Sequence, residues 1–392
     1  MFPSRRIITS GGDVFRDEYS VGFDGTDSRI IVGTDSSIDN IWAGGGTIAG
    51  WIKPTSDGEN NYGRIVQKAS GTSPTDGWYL VVSSESSGVT DFRFRQRWGS
   101  GVFYGFETTS REVTLDQWNH VAITFDQDSD SNNAIMYING VHVAGERVDN
   151  PAGGTADDDS SRQLIIGNNG SFNRTFAGNM SELVLYNTIL TASQIATIYN
   201  GREPYNHIEG VASGNVAAWW RFGDGVLDHR VANGIIADQT NATKGSNIVD
   251  GDFDTDTTGD WSTSDSTLSH ASGAMRIVAT STSGNKGVYY NSLVTAGNTY
   301  HVKFRAKSDS SVAFTSVGNN NDISRAILNP TLTTSFQNYE FYTTTDAGAV
   351  FRLYVAARIV DDYLDIDDIT IQKINGNLGR LTSMDDFEGD TP

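Results

Sequence analysis

A chain of 392 residues, 37% of them hydrophobic and 19% charged, is long enough for two buried cores and too long for one ordinary domain. Its 28 basic and 48 acidic residues leave a net charge of -20, which argues against a broad nucleic-acid footprint. The absence of cysteine excludes disulfide staples and thiolate metal sites, and no run approaches the ~18 apolar residues of a membrane span.

In chain order, the opening Met1-Phe2-Pro3-Ser4-Arg5-Arg6-Ile7-Ile8 has no apolar stretch after its arginines. It does not read as a secretory signal, and residues 1–18 are expected to form an arm. Arg5 and Arg6 are candidates for tethering that arm to an acidic assembly. Runs rich in β-branched and aromatic residues then predict strands at 29–32, 47–52, 78–83, 121–125, 134–138 and 182–186. Asp24-Gly25, Asn139-Gly140 and Asn169-Gly170 supply turn chemistry between them, because such residues tolerate positive φ. Thr191-Ala-Ser-Gln194 reads as a capping box that opens one short helix, with Ile195, Ile198 and Tyr199 on one face and Gly201 as its stop.

Residues 203–245 change character around Trp219-Trp-Arg-Phe-Gly-Asp-Gly225 and read as a structured connector. Strand signals return at 286–290, 299–305, 337–343, 350–355 and 364–372, which places a second domain at 246–373. Residues 374–392 are polar and glycine-containing and read as a tail. The fold class expected is all-β, with two antiparallel β-sandwich (jelly-roll) domains joined by that connector.

The sharpest local pattern is Phe92-Arg-Phe-Arg-Gln-Arg-Trp98. In a strand it puts Phe92, Phe94 and Trp98 on one side and Arg93, Arg95 and Arg97 on the other. The arginines then form a cationic stripe suited to carboxylate or sulfate groups, or a solvated strand face paired with neighbouring acids. A sugar presents C–H faces and a rim of hydroxyls, so its binding site needs aromatic platforms beside polar groups. Trp98 and Tyr104, with Phe103 and Phe106 close by, are candidates in the first domain, and Trp261 and Tyr289 in the second. Core packing is the competing reading for each of them.

Structural calcium is the one cofactor the residues suggest. Asp252, near the start of the second domain, and Asp367 or Asp368, in its closing strand, form a candidate ligand pair, because first and last strands can be neighbours. Asp365, Asp367 and Asp368 read equally well as outward edge charges. Asp126, Asp128 and Asp130, and Asp157 to Asp159, read as solvated loops without calcium-loop spacing. No His-Glu-x-x-His, Gly-x-Ser-x-Gly or Gly-x-x-x-x-Gly-Lys sequence occurs, and no Glu-x-Asp-x-x-Glu strand, so no catalytic residues are assigned.

Four segments occur in a familiar order: Ser20-Val-Gly-Phe-Asp-Gly-Thr26; Ile48-Ala-Gly-Trp-Ile-Lys-Pro54; Trp118-Asn-His-Val-Ala-Ile-Thr-Phe125 with Met136-Tyr-Ile-Asn-Gly-Val141; and Phe176-Ala-Gly-Asn-Met-Ser-Glu-Leu-Val-Leu-Tyr-Asn187. Over residues 19–202 they resemble the laminin-G-like, concanavalin-A-type sandwich. Where that family has Ile-Asp-Glu, this chain has Met180-Ser181-Glu182, one carboxylate fewer, which weighs against a family-type calcium site. Asn247-Ile-Val-Asp-Gly-Asp-Phe253 and Leu364-Asp-Ile-Asp-Asp-Ile-Thr370 look like the opening and closing strands of a carbohydrate-binding-module jelly roll.

The connector, with Ile236-Ala-Asp-Gln239, and the tail from Asn375 are similar to structural proteins of marine tailed phages. That resemblance implies a non-enzymatic virion component, a capsid decoration or a head or tail fibre. It would be made in the host cytoplasm and homo-oligomeric, in contact with other virion proteins and host-surface polysaccharide, without nucleic acid or a membrane span. A stand-alone lectin-like adhesin and a polysaccharide-cleaving enzyme are the alternatives.

Overall fold

The computed structural model describes residues 16–99, 101–151, 153–230, 234–255, 258–318, 331–344, 350–355, 359–384 and 387–392. Arg5 and Arg6 lie outside the described residues. The chain divides into two compact units, one reaching to Ala242 and resuming at Gly376, the other spanning Thr243–Asn375.

The first unit carries β1 (Ser20–Asp24), β2 (Arg29–Gly33), β3 (Gly46–Pro54), β4 (Tyr62–Ala69), β5 (Gly77–Ser86), β6 (Val89–Trp98), β7 (Val102–Thr108) and β8 (Val113–Thr114). It continues with β9 (Asn119–Phe125), β10 (Ile135–Ile138), β11 (Val141–Val143), β12 (Gly145–Asp149), β13 (Leu164–Ile166), β14 (Ala177–Tyr186), helix α1 (Ala192–Tyr199), β15 (Val216–Trp220) and β16 (Ile235–Ala237). The second unit carries β17 (Thr243–Asn247), β18 (Ser262–Ser264), β19 (Ser266–Ala271), β20 (Ala274–Ala279), β21 (Lys286–Tyr290) and β22 (Thr299–Ser308). Its remaining strands are β23 (Val312–Gly318), β24 (Thr331–Leu332), β25 (Gln337–Thr344), β26 (Phe351–Val355) and β27 (Tyr363–Asn375). The chain then adds β28 (Leu378–Thr382) and β29 (Phe387–Glu388) to the first unit. All strand pairings are antiparallel among the described residues, and no helix there is long and apolar enough to cross a membrane.

In the first unit an eight-stranded sheet runs β11-β10-β9-β3-β14-β1-β29, with β15 also on β14. A ten-stranded sheet runs β12-β7-β6-β5-β4-β13-β2-β28-β16, with β8 on β6. Their facing surfaces enclose one apolar core that includes Trp42, Trp78, Phe92, Phe94 and Phe125. The eight-stranded sheet is covered on its other side too. Ile195 and Ile198 of α1 pack with Ala122, Val184 and Trp219 in a second cluster. This is why β9 is buried at all seven positions and carries apolar side chains on both faces at Val121, Ala122 and Ile123.

Local chemistry sets the ends of these elements. The Thr191 hydroxyl accepts from the Gln194 amide at 3.3 Å, and the Gln194 side chain accepts from the Thr191 amide at 2.8 Å, which completes the capping box. Asn200 closes α1 in the left-handed region at φ 49. Asn139 and Gly140, at φ 51 and 76, turn the β10–β11 hairpin as expected.

Asn169-Gly170 does not make a hairpin, because β13 and β14 belong to opposite sheets. The side chains of Asn168 and Asn169 instead accept backbone N–H groups of residues 171, 173 and 174 and shape the crossing loop. Asp159 is not in a solvated loop either. It is 1% exposed, accepts from Trp78 Nε1 at 2.8 Å and faces the buried Lys68 ammonium.

The segments read as connector and tail are built into the first unit. β15 pairs with β14, while β28 pairs with β2 and β16. Leu381 and Met384 enter the core, and Trp220 Nε1 donates to the Asn377 carbonyl at 2.9 Å. Polar composition hid this because β28 and β29 each present only one or two apolar side chains to a core whose remainder lies far away in sequence.

The second unit is also a sandwich. A six-stranded sheet, β19-β20-β27-β22-β25 with β17 on β27, faces a five-stranded sheet, β18-β21-β26-β23-β24. Phe253, Trp261, Phe304, Phe341 and Phe351 lie in its core. The opening strand β17 does pair with the closing strand β27.

Candidate functional site

Among the described residues, helix α1 packs on the eight-stranded sheet, and no α-helix covers the outer face of the ten-stranded one. Along β6 the alternation is as expected: Phe92, Phe94 and Trp98 are buried in the core, and Arg93, Arg95 and Arg97 point the other way. Cross-strand register then fills out the face. Tyr79 of β5 lies opposite Arg95, and Arg95 lies opposite Gly105 of β7, which pairs with Asp149 of β12. Arg93 lies opposite Glu107.

The stripe is more occupied than a bare cationic row. Arg93 is 8% exposed, donates to the Tyr62 hydroxyl at 3.0 Å and pairs with Glu107. Arg95 lies 2.8 Å from Asp149. Gly105 makes that reach possible, because a Cβ there would sit 2.5 Å from Asp149 Oδ2. Arg97 lies over the Phe103 ring at 4.9 Å. The pairing with acids that competed with the ligand reading is therefore present, but it leaves half-buried arginine and aromatic groups side by side.

Arg64, on β4, belongs to the same face and carries no signal in a one-dimensional pattern. It is 2% exposed, its Nε donates to Gln67 Oε1 at 2.9 Å, and its guanidinium carbon lies 3.7 Å above the Tyr79 ring. Burial lowers its pKa to about 10. Tyr79 in turn meets Phe103 edge-on at 6.1 Å. The half-buried rings here are Tyr62 and Phe103, and Tyr79, 5% exposed, lies beneath Arg64.

Trp98 and Tyr104, expected as platform residues, are corrected to core positions. Both are at most 1% exposed and meet at 6.1 Å, and the Tyr104 hydroxyl accepts the Ala134 amide at 2.9 Å. The period of two decides this, since Tyr104 and Phe103 cannot face the same side. Trp261 is likewise a core residue, 6% exposed between Tyr290 and Phe351.

Tyr289 is half-buried on the outer side of β21, directly opposite Arg352. Tyr354, two residues on, shares that side above Gly287. The alternation in Phe351-Arg-Leu-Tyr-Val355 held the signal for Arg352 and Tyr354.

The residues offered for calcium do not fit that ion. The Ile369 amide donates to the Gly251 carbonyl at 2.8 Å, which brings the chain at Asp252 beside the closing strand. However, Asp367 takes Arg305 Nη2 at 2.5 Å and Asp368 takes Arg305 Nε at 2.9 Å, so a guanidinium holds the charge a cation would supply. Asp252 is exposed and accepts from the Asp254 amide. Among the described residues no group of three or more histidine or acid side chains is arranged to hold a metal ion. Asp365 is no outward edge charge; it is 2% exposed and accepts from Arg276 Nε and Nη2, each at 2.7 Å.

Buried Glu182 of β14 and the half-buried Asp17, Asp224 and Arg221 form a separate group against the eight-stranded sheet. Ser181 donates to Asp17 at 3.2 Å, so a carboxyl from the start of the chain lies beside the position where Ser181 replaces an acid. Burial, followed by the charges of Glu182 and Asp224, pushes the Asp17 carboxyl well above its usual 3.8. Its neighbours are backbone amides, an indole and an arginine, and they anchor residues 16–19.

Comparison with protein families agrees with the fold of the first unit. Residues 24–196 match the family model described as the concanavalin A-like lectin/glucanases superfamily. Among solved structures, a heptameric pentraxin from Limulus polyphemus is similar at 16% identity and a TM-score of 0.34, over 47% of this chain and 82% of that one. The CBM40 of the Ruminococcus gnavus IT-sialidase is similar at 16% identity and 0.33, over 46% and 96%. A xylan-binding domain from Paenibacillus barcinonensis is similar at 10% identity and 0.28, over 34% and 99%. No curated protein matches the chain.

Proposed function

We propose that this chain is a non-enzymatic glycan-binding protein whose ligand face is the outer surface of the ten-stranded sheet. The observation that carries the reading is the interleaving of half-buried Tyr62 and Phe103 with half-buried Arg95 and Arg97 on one face, above buried Tyr79, Arg64, Arg93 and Gln67. Rings offer stacking area to sugar C–H faces, and fixed guanidinium groups offer hydrogen bonds to hydroxyls. The family matched by residues 24–196 includes lectins, which supports the reading.

Glycosidases also occur in that family's description, and they need two carboxyls free to flank the bond. On this face Glu107 and Asp149 each serve as the partner of an arginine. A glycan array with the full chain tests the proposal. Binding that weakens in Arg95→Ala supports it; no binding to any glycan, or release of reducing ends from a bound polysaccharide, removes it.

The Tyr289, Arg352 and Tyr354 side of the second unit is a further platform of the same chemistry. For setting, the resemblance of residues 219–225, 236–239 and the tail motivates a homo-oligomeric virion component as a proposal. Mass spectrometry of purified particles that lacks the chain would remove that setting without touching the glycan face.

A further inference from the structure

Arg64 presents an unbalanced charge. Its guanidinium is 2% exposed and makes no ion pair among the described residues, and its Nη1 has no hydrogen-bond partner there. A buried cation is costly unless an anion or a full set of hydrogen bonds offsets it. Gln67 supplies a hydrogen bond, and Tyr79 a ring face and a side-chain hydrogen-bond contribution, but neither is an anion.

The nearby charges increase the imbalance. The Arg174 carbonyl accepts the Arg64 amide at 3.0 Å, which holds the Arg174 backbone beside that of Arg64, and Arg95 lies directly across from Tyr79. After burial itself, and against a favourable contribution from Tyr79, the positive charges of Arg174 and Arg95 further disfavour the charged state of Arg64. Arg95 has Asp149 as a partner, while Arg174 donates Nη1 to the neutral Asn173 carbonyl at 2.9 Å. Arg174 and Arg95 are both half-buried, so the group runs from the interior of the sheet face toward solvent.

We propose that Arg64, Arg174 and Arg95 form an anion subsite that takes a carboxylate or sulfate substituent of a bound glycan. This rests on the glycan-face reading above and names its ligand class. Planar guanidinium forks match the oxygen geometry of both anions, and an anion there would supply the missing partner of Arg64. The protein as a whole carries -20 and repels polyanions, so affinity for one requires a local site of this kind.

The test uses the full chain in affinity electrophoresis against dextran, dextran sulfate and polygalacturonate, with wild type, Arg64→Gln and Arg174→Gln. The expected result is retardation by one or both anionic polymers, weakened about 10-fold or more in both variants, as for loss of a charged hydrogen bond. The two anionic polymers separate sulfate from carboxylate. Arg174→Gln alters a half-buried loop residue and carries the test if Arg64→Gln fails to fold. Anionic-polymer binding that is unchanged in Arg174→Gln overturns the subsite. Equal affinity for neutral and anionic glycans also overturns it while leaving the glycan face standing, and no binding to any glycan on the array overturns both.

Discussion

Arg221 Nε donates to Glu182 Oε1 at 3.0 Å, and this pair is the centre of the group that holds the start of the described chain. Both side chains are nearly out of water, at 11% and 3% exposure. Trp219 Nε1 donates to the other Glu182 oxygen at 2.6 Å, and Arg221 also reaches the Asp224 carbonyl at 2.9 Å. Removing the cation strands a buried carboxylate. Arg221→Ala is therefore expected to cost about 3–5 kcal/mol, measured by chemical denaturation. A loss below about 1 kcal/mol would place the pair with ordinary surface bridges.

The same group predicts a pH effect. Among the described residues Asp17 makes no ion pair, and burial, the charges of Glu182 and Asp224 and a hydrogen bond with Asp224 raise its pKa against the opposing effect of Arg221. A raised carboxyl pKa contributes stability that is complete below the usual 3.8 and is lost as pH rises through the folded-state value. Asp17→Asn keeps an acceptor for Ser181 and a donor for Asp224 without ionising. The variant should match wild type near pH 4 and exceed it increasingly toward pH 8. Parallel denaturation curves at both pH values check this, and a constant difference would contradict it.

Reassigning the aromatic platform separates two variants that a linear reading treats alike. Trp98→Ala should cost about 3–5 kcal/mol of stability, because it empties a core site. Phe103→Ala should leave the melting temperature nearly unchanged and weaken glycan binding by roughly 10-fold, as loss of a stacking surface does. Thermal melts together with the glycan array read both effects, and the reverse pattern would return the platform to Trp98.

Arg305 between Asp367 and Asp368 predicts that calcium is not what stabilises the second unit. Addition of calcium or of a chelator should leave the unfolding of the whole chain unshifted. A calcium-dependent rise in melting temperature would show that a cation competes successfully with the guanidinium.

Much of this was legible in the residues. Period-two patterning named the strands, the Thr191–Gln194 box named the helix start, and Asn139-Gly140 named a hairpin, because each is governed by neighbours within a few residues. The arginines of β6 were legible for the same reason. Arg64, Tyr79, Arg174 and Gly105 were not, since each matters only through residues brought beside it across strands. Asp367 and Asp368 were visible as acids, but their partner Arg305 is 62 positions away from Asp367 in sequence, and it turns a candidate cation site into an ion pair.

The amino-acid sequence by itself determined the class of this protein: two all-β sandwiches with an ordered set of strands in the first and matched ends in the second. These follow from local alternation and turn chemistry, which need no distant partner. Tertiary structure alone decided that the connector and tail belong to the first unit, and which aromatics face the ligand side. It alone decided that Arg64 is left without an anion among the described residues, because register between strands far apart in sequence sets which charges meet.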